Sequence, residues 1–134
     1  MKNVFTNGAD KETILKAVNE NCFILKYASE ILKHNKAIVL TAVKQHGSSL
    51  KYASPTLQND KELVLAAVKQ NGQALEYASE KLKNDKDIVL AAIRRYVWAI
   101  DYASESLKND EEVTLAATQK RRKLFNLYQT QRDL

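Results

Sequence analysis

Cysteine, proline and glycine are scarce in this chain of 134 residues, which has one, one and three of them. A single cysteine excludes an internal disulfide, and with it the disulfide-stapled class of small secreted domains. So little glycine and proline disfavours an all-β chain with many turns and favours long helices. No apolar run reaches the roughly 18 to 20 residues of a membrane span, and the first ten residues lack the apolar stretch of a signal peptide. We therefore expect a helical protein in the cytoplasm, either of the producing cell or of a host, without a membrane partner.

Charge is the next feature, because basic residues outnumber acidic ones. The chain has 21 Lys and Arg against 16 Asp and Glu, a net charge of +5, and 45% of its residues are hydrophobic. That composition is typical of a folded domain and excludes a disordered tail. The excess is uneven: residues 61–85 and 86–110 are each neutral, whereas residues 120–123 are all basic. This distribution disfavours a uniform groove for duplex nucleic acid and indicates a local contact surface.

A repeat of 25 residues runs without a gap from residue 11 onward. Four blocks, residues 11–35, 36–60, 61–85 and 86–110, precede a fifth, 111–134, that keeps only the first half of the pattern. Identical residues recur in columns at Leu15, Leu40, Leu65, Leu90 and Leu115, at Ala17, Ala42, Ala67, Ala92 and Ala117, and at Tyr27, Tyr52, Tyr77 and Tyr102. Such columns are the signature of a repeat protein. We expect one domain over residues 1–134, with an N-terminal cap at 1–10 and a C-terminal capping repeat at 111–134.

The first half of each block predicts a long helix. Its apolar residues follow the helical period, with Val64, Leu65, Ala67 and Val68 on one side in the third block. The predicted N-caps are the Asp or Asn residues before each block, Asp10, Asn35, Asp60, Asp85 and Asp110. Where the helix should end, the second and third blocks have Gly47 and Gly72, for which we expect the left-handed closing conformation.

The second half of each block predicts a short helix and then a single turn. Leu75 and Tyr77 represent the short helix, and the Ser that follows is expected to cap the turn, because Pro55 directly after Ser54 suits a first helical position. The predicted fold is all-α: a right-handed-type solenoid of about five 25-residue repeats (long helix, short helix, single turn) with atypical capping ends. Val4, Phe5, Thr114, Thr118 and Tyr128 are the residues that we assign to those ends.

The repeat resembles a known family. The stretches KELVLAAVKQNGQALEYASE at Lys61–Glu80 and LKND at Leu82–Asp85 are similar to the tandem helical repeat catalogued as domain of unknown function four-one-one-six. The resemblance extends from Asp10 to about Leu127, and the fifth block departs from it after its first half. It implies a helical repeat fold found in bacteria, including effectors of intracellular pathogens, and in protists and large viruses. It implies no activity and no catalytic residue.

Residues with catalytic chemistry are few, and most recur in every block. A serine in each Tyr-Ala-Ser triplet is most simply a cap, because an active site needs a unique constellation. The one arrangement with nucleophilic chemistry is Cys22 beside His46, which stacking of adjacent repeats would bring together. Zinc would need more ligands than His34, His46 and one Cys provide. We expect a protein that is not an enzyme, with no catalytic residues, no metal and no cofactor.

The candidate binding site lies where the fourth and fifth blocks depart from the repeat, between the two main helices. Stacking predicts Arg95 beside Lys120, Tyr96 beside Arg121 and Trp98 beside Lys123, because equivalent positions of a solenoid are neighbours. Aromatic and arginine side chains are enriched where proteins bind partners. The predicted contacts are Arg94, Arg95, Tyr96, Val97, Trp98, Lys120, Arg121, Arg122 and Lys123, and a weaker set is Cys22, Phe23 and His46. The alternative is that Val97 and Trp98 fill a gap in an altered turn.

Three functions follow from these residues. The first is a non-enzymatic interaction module, favoured as a monomer, that binds a protein or ribonucleoprotein partner. A specific form is an effector or mobile-element inhibitor of a host nuclease or defence complex, resembling an anti-CRISPR protein. The second is binding of RNA or single-stranded nucleic acid along the basic and aromatic residues. The third is an enzyme that depends on Cys22 and His46, which we consider the weakest.

Overall fold

The computed structural model describes residues 11–133, and within them every regular element is helical. Each of the first four repeats is an α-helix of ten residues, a 3₁₀ helix of six residues and a single α-turn of four residues. In chain order the elements are α1 (Lys11–Glu20), η1 (Cys22–Tyr27), α2 (Glu30–Lys33), α3 (Lys36–Gln45), η2 (Gly47–Tyr52), α4 (Pro55–Gln58), α5 (Lys61–Gln70), η3 (Gly72–Tyr77), α6 (Glu80–Lys83), α7 (Lys86–Arg95), η4 (Val97–Tyr102), α8 (Glu105–Lys108) and α9 (Glu111–Arg132).

The repeats stack as layers, so the chain is an all-α repeat solenoid, as predicted. Each long helix packs against the next one along the chain, α1 on α3, α3 on α5, α5 on α7 and α7 on α9, and the 3₁₀ helices pack on one another in the same order. Four layers contain all three elements, and the fifth is α9. The handedness of the superhelix stays a prediction.

Side-chain caps start the helices where the sequence predicted. The carboxylate of Asp60 accepts a hydrogen bond from the N–H of Leu63, and Ser79 accepts one from the N–H of Leu82. The equivalent Asn35, Asp85 and Asp110 cap the other long helices, and Ser29, Ser54 and Ser104 cap the other single turns. These serines are therefore structural, as expected. The predicted cap Asp10, the capping segment 1–10 and the covering residues Val4 and Phe5 lie outside the described residues.

The core runs as one continuous column through the layers. In the third layer Leu63, Val64, Ala67 and Val68 are fully buried, whereas Leu65 is only partly buried. The Leu column was therefore wrongly assigned to the same face as the others: it lies at the edge of the layer interface, and the residue at position three of the long helix takes its place in the core.

The prediction for the two glycines is wrong. No described glycine has a positive φ, and the long helices before them end at His46 and Asn71 in extended backbone. Gly47 and Gly72 begin the 3₁₀ helices instead, at points where a Cβ would meet the backbone carbonyl of the next layer. For Gly72 that Cβ would also lie 2.7 Å from the Cβ of Tyr96. Glycine is needed here because two layers approach each other closely.

The fifth layer contains no turn at residues 119–123, where the alignment of the repeats predicts one. Helix α9 continues for 22 residues from Glu111 to Arg132, so the basic run lies within a helix. Its first half packs on α7, and only Val113 and Ala117 are buried. Thr114 and Thr118 replace buried aliphatic residues and bond back to backbone carbonyls, which agrees with the predicted polar end. The exposed large apolar residues of this helix, which the prediction of a closed end missed, are Leu115, Leu124, Phe125, Leu127 and Tyr128.

Candidate functional site

The residues at positions 94–98 and 120–123, which we call the ridge, lie on two adjacent layers. Arg94 and Arg95 end α7, Tyr96 joins it to η4, and Val97 and Trp98 begin η4. The guanidinium of Arg121 lies 4.6 Å from the centre of the Trp98 ring, a cation–π contact between the fourth and fifth layers. The alignment of the repeats predicts Lys123 as the neighbour of Trp98. That pairing assumed a turn in the fifth block, and the continuous helix places Arg121 over the indole instead.

Burial separates the ridge residues into those that a partner can reach and those that it cannot. Trp98 is 50% exposed, whereas Val97 is 3% exposed and belongs to the core. Tyr96 is half-buried against the core. Val97 is therefore wrong as a contact residue and fills space in the altered turn, as the alternative interpretation proposed for it. Trp98 does not fit that interpretation, because half of its surface faces outward.

A hollow of about 440 Å³ opens between α7 and α9, the helices that carry the ridge cations. Its lining combines apolar and basic side chains; the lining residues are Ile93, Arg94, Ala116, Gln119, Lys120, Lys123 and Leu124. Lys120 and Lys123 are one helical turn apart, so both reach the same side of α9. A smaller hollow of about 190 Å³, lined by Lys69, Ala91, Arg94 and Arg95, continues the basic surface to the third layer.

The ridge cations differ in their partners from the lysines that begin α3, α5 and α7. Lys61 lies 2.9 Å from a carboxylate oxygen of Asp85 and 3.4 Å from one of Asp87, and these hydrogen bonds raise the pKa of its ammonium group. Lys36 and Lys86 bridge the equivalent carboxylates in their layers. Within residues 11–133, by contrast, none of the six ridge cations forms an ion pair; these are Arg94, Arg95, Lys120, Arg121, Arg122 and Lys123.

Arg95 is partly committed to the fold. Its Nε donates to the backbone carbonyl of Gln70 at 3.2 Å, as the side chain of Gln70 donates to that of Gln45. Position ten of the long helix thus links each layer to the one before. Arg95 therefore has a structural role besides its charge, and Arg94, Lys120 and Lys123 are the cations whose side chains line the larger hollow.

The weaker candidate set divides in the same way. Cys22 is buried in the core, so it is wrong as a surface contact. Phe23 is half exposed and stacks on His46 with 5.1 Å between ring centres and 29° between ring planes. Among the described residues, no hydrogen bond joins the Cys22 thiol to the His46 ring. The arrangement that would support nucleophilic catalysis is therefore not formed in this structure.

Phe23–His46 and Trp98–Arg121 occupy the same place in their layers, at opposite ends of the described stack. In each pair the aromatic residue precedes its partner by the same number of positions in the sequence. Pairing of identical block positions does not predict this spacing, because the 3₁₀ helix is offset from the long helix of the next layer. Of the remaining surface residues, Lys69 and Leu124 were missed. The repeated basic residue at the next-to-last position of α3, α5 and α7 would have indicated Lys69.

Residues 11–133 contain no group of three or more His, Cys, Asp or Glu residues arranged to hold a metal ion. None of their helices combines the length and apolar character needed to cross a bilayer.

Stacked layers of helix, 3₁₀ helix and single turn, with a core continuous along the stack, define a helical-repeat protein of the solenoid class. The family model described as "Domain of unknown function (DUF4116)" matches residues 10–58, 60–108 and 85–129, so the chain belongs to this family. No curated protein and no solved structure matched the chain.

Proposed function

We propose that the protein is a non-enzymatic binding module whose ridge contacts a negatively charged surface of a protein or ribonucleoprotein partner. The contacts that we assign are Arg94, Lys120, Arg121 and Lys123 with Trp98. Arg95, Arg122 and Tyr96 contribute at the edge of the site. Phe23 and His46 form a secondary contact.

One observation carries this proposal: six cations without ion pairs lie on the two layers that also hold a half-exposed tryptophan and an open hollow, whereas Lys36, Lys61 and Lys86 all pair with carboxylates. Tryptophan and arginine are enriched among residues that dominate binding energy. Uncompensated surface charge speeds association and selects an oppositely charged partner. Basic residues near a helix C-terminus also interact favourably with the helix dipole, but that effect needs no exposed tryptophan beside them.

The experiment compares the partners captured by the full-length chain and by two charge-matched variants. The site variant combines Arg94→Glu with Lys120→Glu. The control combines Lys16→Glu with Lys81→Glu, at exposed positions on other surfaces for which no ion pair is described. We expect the control to retain the partners and the site variant to lose them, with circular dichroism showing that both are folded. Retention of the same partners by the site variant would overturn the assignment of the ridge.

Direct binding of RNA or single-stranded nucleic acid is the second candidate. The Trp98–Arg121 pair supports it, because an indole can stack on a base while a guanidinium meets a phosphate. It predicts affinity that falls steeply with salt, with a slope for roughly three to five neutralised phosphates. Binding that does not change with salt concentration, or partners that stay bound after nuclease treatment, would favour a protein partner.

A narrower form of the leading proposal is an effector or mobile-element inhibitor of a host nuclease or defence complex. Its direct test is co-purification with a nuclease whose activity falls when the purified chain is added. We also propose that the chain acts as a monomer in the cytoplasm of the producing cell or its host, without a cofactor. Light scattering tests the monomer, and the loss of monomer mass at micromolar concentration would contradict it.

A further inference from the structure

The C-terminal half of α9 is a helix with apolar side chains and little of the structure covering it. Leu124 is 49% exposed, Leu127 62% and Tyr128 63%, and Phe125 between them is 60% exposed. Leu124 also lines the larger hollow, so the hollow and this half-helix form one continuous surface. Soluble proteins rarely leave contiguous apolar side chains of this size in water without a binding role.

The spacing of these residues fits a helix as the occupant. Leu127 and Tyr128 follow Leu124 by three and four positions, so the three side chains lie in a row along one side of α9. A second helix can pack a row of its own apolar side chains against them, as an amphipathic helix does when it binds in an apolar groove. The exposed segment from Lys120 to Arg132 is about 18 Å long at ~1.5 Å per residue, which matches three to four turns of a partner helix.

The charge beside the apolar residues identifies the partner's polar face. Lys120 and Lys123 stand at the edge of the hollow next to Leu124, with Arg94 on the facing layer, and no carboxylate pairs with them among the described residues. A helix that covers the leucines brings its flanking side chains to these cations. Carboxylates there complete the contact, whereas basic side chains would be repelled.

Two other occupants fit less well. A second copy of the chain would bring the same basic run, and its residues 120–132 contain no acidic side chain to pair with these cations in either orientation. A single-stranded nucleic acid would pair with the cations but would leave Leu124 and Leu127 in water. An occupant that is both apolar and acidic satisfies both halves of the surface.

We propose that the hollow between α7 and α9, with the exposed half of α9, binds an acidic amphipathic helix of a partner protein. The inference rests on the proposed function, because it names the chemistry of the partner at the same site. The helix places apolar side chains over Leu124 and Tyr128 and carboxylates opposite Lys120, Lys123 and Arg94.

The test is a selection from a display library of helical peptides on the full-length chain. The library is randomised at the face that would contact α9 and at its flanks. We expect enrichment of peptides that combine an apolar i, i+3, i+4 pattern with flanking Glu or Asp. Affinity of a selected peptide, measured by fluorescence anisotropy, should fall about tenfold or more for Lys120→Glu with Lys123→Glu and for Leu124→Ser with Tyr128→Ser. The Lys16→Glu with Lys81→Glu control should keep its affinity.

Three results would overturn the inference. The first is enrichment of basic or uncharged peptides, or of none. The second is a selected peptide whose affinity survives both site variants. The third is a concentration-dependent dimer, seen by sedimentation, that Leu124→Ser with Tyr128→Ser abolishes. If native partners still depend on Arg94 and Lys120 while acidic peptides are not selected, only this inference fails. If the native partners also ignore the ridge, the proposed function fails as well.

Discussion

The hydroxyl group of Ser49 lies at a buried position where the next two layers have the methyl group of an alanine. Ser49 is fully buried, and its Oγ has no hydrogen-bond partner among the described residues, whereas the next two layers place Ala74 and Ala99 at the same position. A buried hydroxyl without a partner costs stability, because water satisfied it in the unfolded chain. We expect Ser49→Ala to raise the free energy of unfolding by about 1 kcal/mol. Urea denaturation checks this, with the less buried Ser48→Ala as control. A loss of stability in Ser49→Ala would contradict it.

Gly72 makes the opposite prediction at the same scale. A Cβ there would collide with the carbonyl group of Ala92 and lie 2.7 Å from the Cβ of Tyr96, so the fourth layer would have to move. We expect Gly72→Ala to lower the free energy of unfolding by about 1 to 3 kcal/mol, although alanine normally stabilises a helix relative to glycine. Gln73→Ala, at the exposed neighbouring position, should have little effect. Equal unfolding midpoints for Gly72→Ala and the wild type would show that the layers are free to separate.

The long helices are linked at their starts by lysines that bridge two carboxylates of the next layer. Burial opposes ionisation of Asp85, but hydrogen bonds from Lys61 and from the N–H of Ile88 outweigh it and hold the pKa of this carboxyl group below its usual 3.8. Its contribution to stability is therefore present above pH 3.8 and lost as the pH falls further. The raised pKa of the Lys61 ammonium group matters at high pH. Its contribution to stability is present below the usual lysine pKa of 10.5 and is lost as the pH rises further.

This ladder can be tested by comparing Lys61→Met with the wild type across pH. We expect the variant to unfold at a temperature a few degrees lower at pH 7, because Asp85 and Asp87 lose their partner. The difference between the two proteins should shrink as the pH falls below 3.8 and through the lowered pKa of Asp85, because the carboxyl groups then become protonated in both folded and unfolded chains. Lys81→Met, at an exposed position where no ion pair is described, should follow the wild type throughout. A difference that stays constant down to pH 2 would mean that Lys61 stabilises the fold by packing alone.

Repetition explains which elements could be predicted from the sequence. The caps, the long helices and the serine-capped turns recur in four blocks, so each was supported by several independent copies. The continuous α9 was missed because the alignment carried a turn into a block that lacks one. Residues 119–127 contain neither glycine nor proline and consist mostly of good helix formers, so intrinsic propensity would have predicted the helix. The unpaired cations were predictable as a cluster, but their neighbours depend on the offset between layers, which no single block contains.

At the scale of the whole molecule, stability should depend on contacts between neighbouring layers and very little on the ends of the stack. Deletion of residues 61–85 joins Asp60 to Lys86, keeps the 25-residue register, and brings Gly47 against the fourth layer in place of the third. We expect this shorter chain to fold, because each layer contacts only its neighbours. Its denaturant m-value should fall to about four fifths of the wild-type value, in proportion to the surface exposed on unfolding.

Binding provides a second readout of the same deletion, because Trp98, Arg121 and the larger hollow all lie on the fourth and fifth layers. If the ridge is the site, the shortened chain should capture the wild-type partners while unfolding at lower denaturant concentration. Deletion of residues 61–73 is the out-of-register control: it removes α5 and the start of η3, so the intact second layer would be followed by half of a layer that has no long helix, and folding should fail. If the in-register deletion variant is as unfolded without denaturant as the out-of-register variant, the core must behave as one indivisible unit. In that case the solenoid description of its energetics is wrong, even though its geometry is repetitive.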